Sequence, residues 1–120
     1  MKKLIALFLL ISCTAKTTES SLSPEEFNTK FRNTSKAILV DVRTEAEVKE
    51  GTLTGAQNIV YDDSFANKLN GLQKDIPIFV YCAKGKRSEK AAQIMKDQGF
   101  LEVYQLQGGL DAWKKSGLPM

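Results

Sequence analysis

Ile76-Pro77-Ile78-Phe79-Val80-Tyr81-Cys82 runs directly into Ala83-Lys84-Gly85-Lys86-Arg87-Ser88. The first half is apolar, β-branched and aromatic with no polar alternation. That is the pattern of a strand buried on both faces of a parallel sheet. Pro77 lacks an amide hydrogen, so it is tolerated only where such a strand begins. The second half is cationic, carries one glycine, and leads into a helix over residues 87–98. Ala91, Ile94, Met95 and Gln98 share one face of that helix, and Gly99 closes it. A buried strand followed at once by a helix is one unit of an open α/β sheet.

The same alternation extends on both sides. Ser23-Pro24-Glu25-Glu26 combines an N-cap serine, a first-turn proline and a glutamate three residues after the cap. Phe27 and Phe31 follow at helical spacing, giving a short amphipathic helix to about residue 33. Ala37-Ile38-Leu39-Val40-Asp41-Val42 is a second buried strand. Thr44-Glu45-Ala46-Glu47 is another capping box, and Gly51 ends its helix. Residues 55–60 suit a short strand, 64–72 a helix, and 102–106 the last strand. Gly108-Gly109 opens a final helix that holds Leu110 and Trp113 and stops at Gly117 and Pro119. The expected fold is α/β: one domain over residues 23–119, an open parallel sheet of about five strands with helices on both faces.

Composition narrows the chemistry. The 120 residues include 17 basic and 14 acidic side chains, a formal +3, and 42% are hydrophobic. This is an ordinary globular balance, which excludes disorder and a disulfide-dense scaffold. Histidine is absent, which excludes an imidazole base and a histidine metal ligand. Two cysteines cannot build a four-thiolate metal site within one chain.

The first residues read as an address. Met1-Lys2-Lys3 is followed by eight uncharged apolar residues, Leu4 through Ile11. Spanning a bilayer takes roughly 20 residues, whereas eight match the hydrophobic region of a secretory signal. Leu10-Ile11-Ser12-Cys13 resembles the bacterial lipobox, in which cleavage precedes a cysteine that carries diacylglycerol. The resemblance implies a lipoprotein signal at residues 1–12, lipidation at Cys13 and a flexible, polar tether at 13–22. It implies export with lipid anchoring to the cell envelope, on the periplasmic side or at the cell surface. An ordinary signal with another cut site and a buried strand are the alternatives. Cleavage removes Lys2 and Lys3 and leaves 15 basic against 14 acidic groups, so charge gives no case for nucleic-acid binding.

Cys82 stands where the carboxyl end of a strand meets the amino end of a helix, the place where open α/β sheets bind ligands. Unpaired first-turn N–H groups and the helix dipole favour an anion there. Lys84, Lys86 and Arg87 add formal charge, and Gly85 lets successive N–H groups turn inward as a nest. A thiol in that nest is favoured as a thiolate nucleophile. The bland alternative is a buried core cysteine below an ordinary solvated face. A Cys13–Cys82 disulfide is set aside, because the lipobox assigns Cys13 elsewhere. Asp41 and Arg43 read as a strand-end carboxylate and a helix-supporting ion pair from Arg43 to Glu47. Indirect support of the cysteine loop is their alternative role.

These residues resemble a known family. Cys82-Ala83-Lys84-Gly85-Lys86-Arg87-Ser88, preceded by Ile78-Phe79-Val80-Tyr81, is similar to the active-site loop of single-domain rhodaneses, the thiosulfate sulfurtransferase family. Leu39-Val40-Asp41-Val42-Arg43-Thr44-Glu45-Ala46-Glu47 and residues 51–59 resemble its amino-terminal signature. Gln107-Gly108-Gly109-Leu110-Asp111-Ala112-Trp113 with Gly117-Leu118-Pro119 resembles its carboxyl-terminal one. Gly51-Thr52-Leu53 departs from the family's usual Gly-His-Ile. Cys82 to Arg87 has the six-residue Cys-x4-Arg form of the sulfur-transferring members, whereas related phosphatases and arsenate reductases use Cys-x5-Arg.

The resemblance implies that Cys82 takes a sulfane sulfur from thiosulfate or a similar donor as a persulfide. It then passes the sulfur to cyanide or a thiol. Ala83, Lys84, Gly85, Lys86, Arg87 and Ser88 would bind the donor, and neither metal nor organic cofactor is implied. The expected partners are small molecules and, through Cys13, a membrane; the expected state is a monomer. A non-catalytic, envelope-anchored binding module and a persulfide carrier to a protein thiol are the alternatives.

Overall fold

Two capping boxes set the chain's entry into its first helices. Ser23 Oγ accepts from the Glu26 N–H while the Glu26 carboxylate accepts from the Ser23 N–H, and Thr44 and Glu47 repeat the exchange. Each box satisfies two backbone donors that a helix start leaves open. The computed structural model describes residues 18–120. The expected signal segment and Cys13 lie outside the described residues.

Five strands form one all-parallel sheet: β1 (Thr18–Leu22), β2 (Ile38–Asp41), β3 (Gln57–Asn58), β4 (Ile78–Tyr81) and β5 (Glu102–Leu106). Their order is β1-β5-β4-β2-β3. The helices are α1 (Pro24–Arg32), α2 (Glu45–Lys49), α3 (Phe65–Lys68), α4 (Lys86–Asp97) and α5 (Gly109–Lys115). Side chains of β4 alternate between two cores. Ile78, Val80 and Cys82 pack with Phe65, Ala91, Ala92 and Met95 beneath α3 and α4. Phe79 and Tyr81 pack with Phe27, Leu110 and Trp113 beneath α1 and α5. Both faces of the sheet are therefore covered, as its apolar strands require. Each fully buried large side chain contributes roughly 1.5–3 kcal/mol.

Three expectations change. The tether expected over 13–22 is corrected from Thr18 onward, where the chain forms β1 against β5 in register Ser21↔Gln105 and Leu22↔Leu106. An edge strand is held by its backbone ladder on one side, so a polar sequence with no apolar period can supply it. The strand expected over 55–60 contracts to Gln57–Asn58, both exposed at the other edge. The helix expected over 64–72 divides into α3 and a 3-10 turn, Leu69–Gly71. In α4 the buried face includes Ala92 and Ser88, which the apolar period alone leaves out.

Candidate active site

Cys82 follows the last residue of β4 and is 1% exposed. Gly85, at φ +106°, caps α4, a backbone angle that a side chain would strain. The turn brings two backbone donors onto the sulfur: the Gly85 N–H at 3.1 Å and the Ser88 N–H at 3.3 Å. Ser88 Oγ lies 3.3 Å from Sγ. Donors fixed in this way stabilise negative charge on sulfur.

The outer side of the loop is held by α5. The Leu110 and Asp111 N–H groups donate to the carbonyls of Cys82 and Ala83 at 2.8 and 3.0 Å. Peptide planes are rigid, so the Ala83 and Lys84 N–H groups of those same planes point away from α5. This approach needs Gly109. A Cβ there would lie 2.5 Å from the Ala83 carbonyl carbon and oxygen.

Glu47, Cys82, Ala83, Lys84, Lys86 and Arg87 line an open cleft of about 360 Å³. Lys84 and Lys86 stand exposed on its rim. Arg87 is engaged: its two terminal nitrogens donate to the two oxygens of Glu47 at 2.7 and 3.0 Å. The Arg87 hydrogen bond holds the Glu47 carboxyl at about 2, well below the usual carboxylate range. A second cavity of about 300 Å³ is apolar, lies between Phe27, Phe31, Leu53 and Trp113, and includes none of the cysteine loop.

The expected Arg43–Glu47 ion pair is not formed. Arg43 is 6% exposed and turns inward onto Asp41, with Nε 3.0 Å from Oδ1 and Nη2 2.7 Å from Oδ2. From Arg43, Glu47 receives only an Nη1 hydrogen bond to its backbone carbonyl, at 3.4 Å. Its carboxylate is taken by its own capping box and by Arg87. Burial pushes Asp41 up, but the hydrogen bonds from Arg43, Tyr81 and Thr52 together outweigh it and leave the carboxyl below its ordinary value.

Thr52 completes this cluster. It donates to Asp41 Oδ2 at 2.9 Å and lies 2.6 Å from the Tyr81 hydroxyl, which also accepts from the Leu53 N–H. Burial pushes the Tyr81 hydroxyl up to about 12. The departure from the family pattern is thus a satisfied polar contact, and it braces residues 51–53 against β4.

The structure gathers the expected loop residues around one sulfur and adds three that the sequence reading left out of the site. Sequence spacing presents Glu47 as a cap and a partner for Arg43. Gly109 presents itself in the sequence as a helix opener, and its contact surface appears only in the fold. Gln105 is a polar residue in an otherwise core strand, and that mismatch was the signal available for it. Among the described residues, no cluster of three or more histidine, cysteine or acidic side chains could hold a metal ion. No helix there is long and apolar enough to cross a membrane.

Comparison with known proteins agrees with this geometry. Residues 23–116 match the family model described as a rhodanese-like domain. A sulfurtransferase of Allochromatium vinosum is 30% identical over 101 residues, spanning 84% of this chain and 94% of that protein. The thiosulfate sulfurtransferase GlpE of Pseudomonas fluorescens is 36% identical over 78 residues, spanning 65% of this chain and 71% of that one. A rhodanese-related protein from Thermoplasma volcanium superposes with a TM-score of 0.73 at 25% identity, covering 83% of this chain and 95% of that chain. An all-parallel sheet, a cysteine at the end of its central strand and a six-residue loop closed by α5 therefore share one source: this chain belongs to the rhodanese-like domain family.

Proposed function

We propose that the protein is a sulfurtransferase that moves a sulfane sulfur from thiosulfate, or a donor of the same kind, through a persulfide on Cys82. One observation carries this reading: Cys82 Sγ lies beneath two backbone N–H donors at 3.1 and 3.3 Å, in a cleft rimmed by Lys84 and Lys86. The relatives named sulfurtransferase and thiosulfate sulfurtransferase support it.

In the first step the Cys82 thiolate attacks the outer sulfur of thiosulfate. A new S–S bond forms, the old one breaks, and sulfite leaves with the electron pair. Lys84 and Lys86 draw the dianion in, and the loop's N–H groups hold the terminal sulfur of the persulfide. In the second step cyanide or a thiolate attacks that terminal sulfur, and the electron pair returns to Cys82 Sγ. No other cysteine exists among the described residues, so no resolving thiol acts there and the acceptor comes from outside the domain.

Intact mass tests the cycle. Thiosulfate adds one sulfur atom, cyanide removes it as thiocyanate, and Cys82→Ser prevents the gain. A folded protein with a free thiol that gains nothing overturns the reading. Export and lipid attachment at Cys13 form a second part of the proposal, supported by the lipobox-like Leu10-Ile11-Ser12-Cys13. The full chain expressed in a bacterium should fractionate with membranes and carry diacylglycerol on Cys13. Cys13→Ser should release it, and wild-type protein found unlipidated would refute that part.

A further inference from the structure

Gln105 sits in β5, 5% exposed, in a strand whose other central residues are core. Burying an amide costs free energy unless its hydrogen bonds are made. Its nitrogen faces two carbonyls, Gly85 O at 3.2 Å and Leu106 O at 3.0 Å, and the Ser88 hydroxyl at 2.8 Å. Carbonyls only accept, which settles which end of the amide points at the loop. Its oxygen accepts from Ser21 Oγ of β1 at 2.9 Å.

Ser88 Oγ is the hinge of this network. With Cys82 as a thiol, Oγ accepts from the S–H and from Gln105, and donates its own hydrogen to Gly85 O at 3.2 Å. Once the thiol proton has left, the nearest place for the Ser88 hydrogen is the sulfur itself. That rotation costs the Gly85 carbonyl little, because it keeps the helical Glu89 N–H at 3.0 Å and Gln105 Nε2 at 3.2 Å.

We propose that Gln105 is a positioning residue that lets Ser88 serve as a switchable third donor to Cys82 Sγ: its amide donates to Ser88 Oγ and holds that oxygen beside the sulfur while the hydroxyl hydrogen turns. This deepens the sulfurtransferase reading and rests on it for its catalytic meaning. The third donor acts when Cys82 attacks the donor. It acts again when the acceptor breaks the persulfide and the electron pair returns to Sγ. Gln105 touches no substrate; it works through Ser88.

The test uses the full chain and the pH dependence of Cys82 alkylation by iodoacetamide, resolved by peptide mass so that Cys13 is read separately. Alkylation needs no sulfur donor, so it is independent of the sulfurtransferase assignment. Gln105→Met keeps the volume and removes the donor. Its alkylation profile should move to higher pH by about 0.5–1 unit, the worth of one hydrogen bond. Ser88→Ala should shift it likewise, and the double variant no further, because both act through one donor. Ser21→Ala, at an exposed edge position, should give a smaller shift in the same direction, and it carries the test if Gln105→Met fails to fold. Profiles superimposable on wild type, or fully additive shifts, overturn the proposal. Absence of a persulfide in wild-type protein would instead overturn the sulfurtransferase reading and leave the alkylation result standing.

Discussion

Glu47 and Arg87, forty residues apart in sequence, join through two hydrogen bonds of 2.7 and 3.0 Å at the mouth of the Cys82 cleft. The contact ties α2 to the first turn of α4. It also balances the charge of Arg87, so the cleft presents Lys84 and Lys86 as its exposed cations.

Glu47→Gln should therefore do two things. It leaves Arg87 uncompensated, so the second-order rate constant with thiosulfate should rise about two- to fivefold at low ionic strength, and the gain should vanish in high salt. It also removes an acid-sensitive contribution to stability. The folded-state carboxyl lies near 2 against an ordinary 4.5. The contribution is thus present above about 4.5 and is lost as pH falls toward 2. The pair is about a third exposed, so the loss is at most about 1 kcal/mol. Urea midpoints measured from pH 6 down to pH 2 should converge for wild type and variant; parallel curves would count against the assignment.

Lys84→Glu and Lys86→Glu each reverse a charge on the rim without touching either core. KM for thiosulfate should rise about tenfold in each, with a smaller change in kcat and a weaker dependence on salt. Steady-state kinetics at two ionic strengths decides this, and an unchanged KM would remove that lysine from the donor's path.

Gly109→Ala forces a methyl to within 2.5 Å of the Ala83 carbonyl at φ +65°, so either the loop or α5 must move. A destabilisation of about 3 kcal/mol or more is expected, a Tm drop above roughly 10 °C for a domain of this size, with persulfide formation lost. Gly55→Ala is the control. Gly55 has φ +89° but nothing within 4 Å of a Cβ, so only about 1 kcal/mol of backbone strain is expected. Equal melting temperatures for the two variants would argue against close contact at Gly109.

Thr52→Val removes one donor to Asp41 and one partner of Tyr81. About 1–2 kcal/mol of stability should be lost, while kcat for sulfur transfer stays within about twofold of wild type. Thermal melts with parallel activity assays check this. A selective fall in kcat would place Thr52 in the chemistry.

Much of the architecture was legible because its signals are local. The capping residues Ser23 and Thr44, the apolar runs of β2 and β4, and the loop from Cys82 to Ser88 each declare themselves within a few neighbours. The edge strand β1 was not legible, whereas β3 was, with longer bounds than it has. β1 is held by a backbone ladder to β5, and nothing in Thr18-Glu19-Ser20-Ser21 marks a strand until that partner is beside it. The partner of Arg43 is hidden from the sequence for a related reason. Sequence spacing offered Glu47, but the turn after β2 carries Arg43 inward to a nearer, fully buried carboxylate.

What the sequence determined by itself was the α/β order, the two-faced burial of the central strands and the place of the cysteine loop between a strand and a helix. Periodicity, capping and turn chemistry act over a few residues, so they can be read without a fold. Only the tertiary structure decided which charges on the loop stay exposed and what holds the loop in shape. Glu47 reaches Arg87 from α2, Gly109 brings α5 against Ala83, and Gln105 reaches Ser88 from β5. Each of these contacts joins segments 17 or more residues apart. Their distances are set by how the sheet orders its strands, and no local pattern encodes that order.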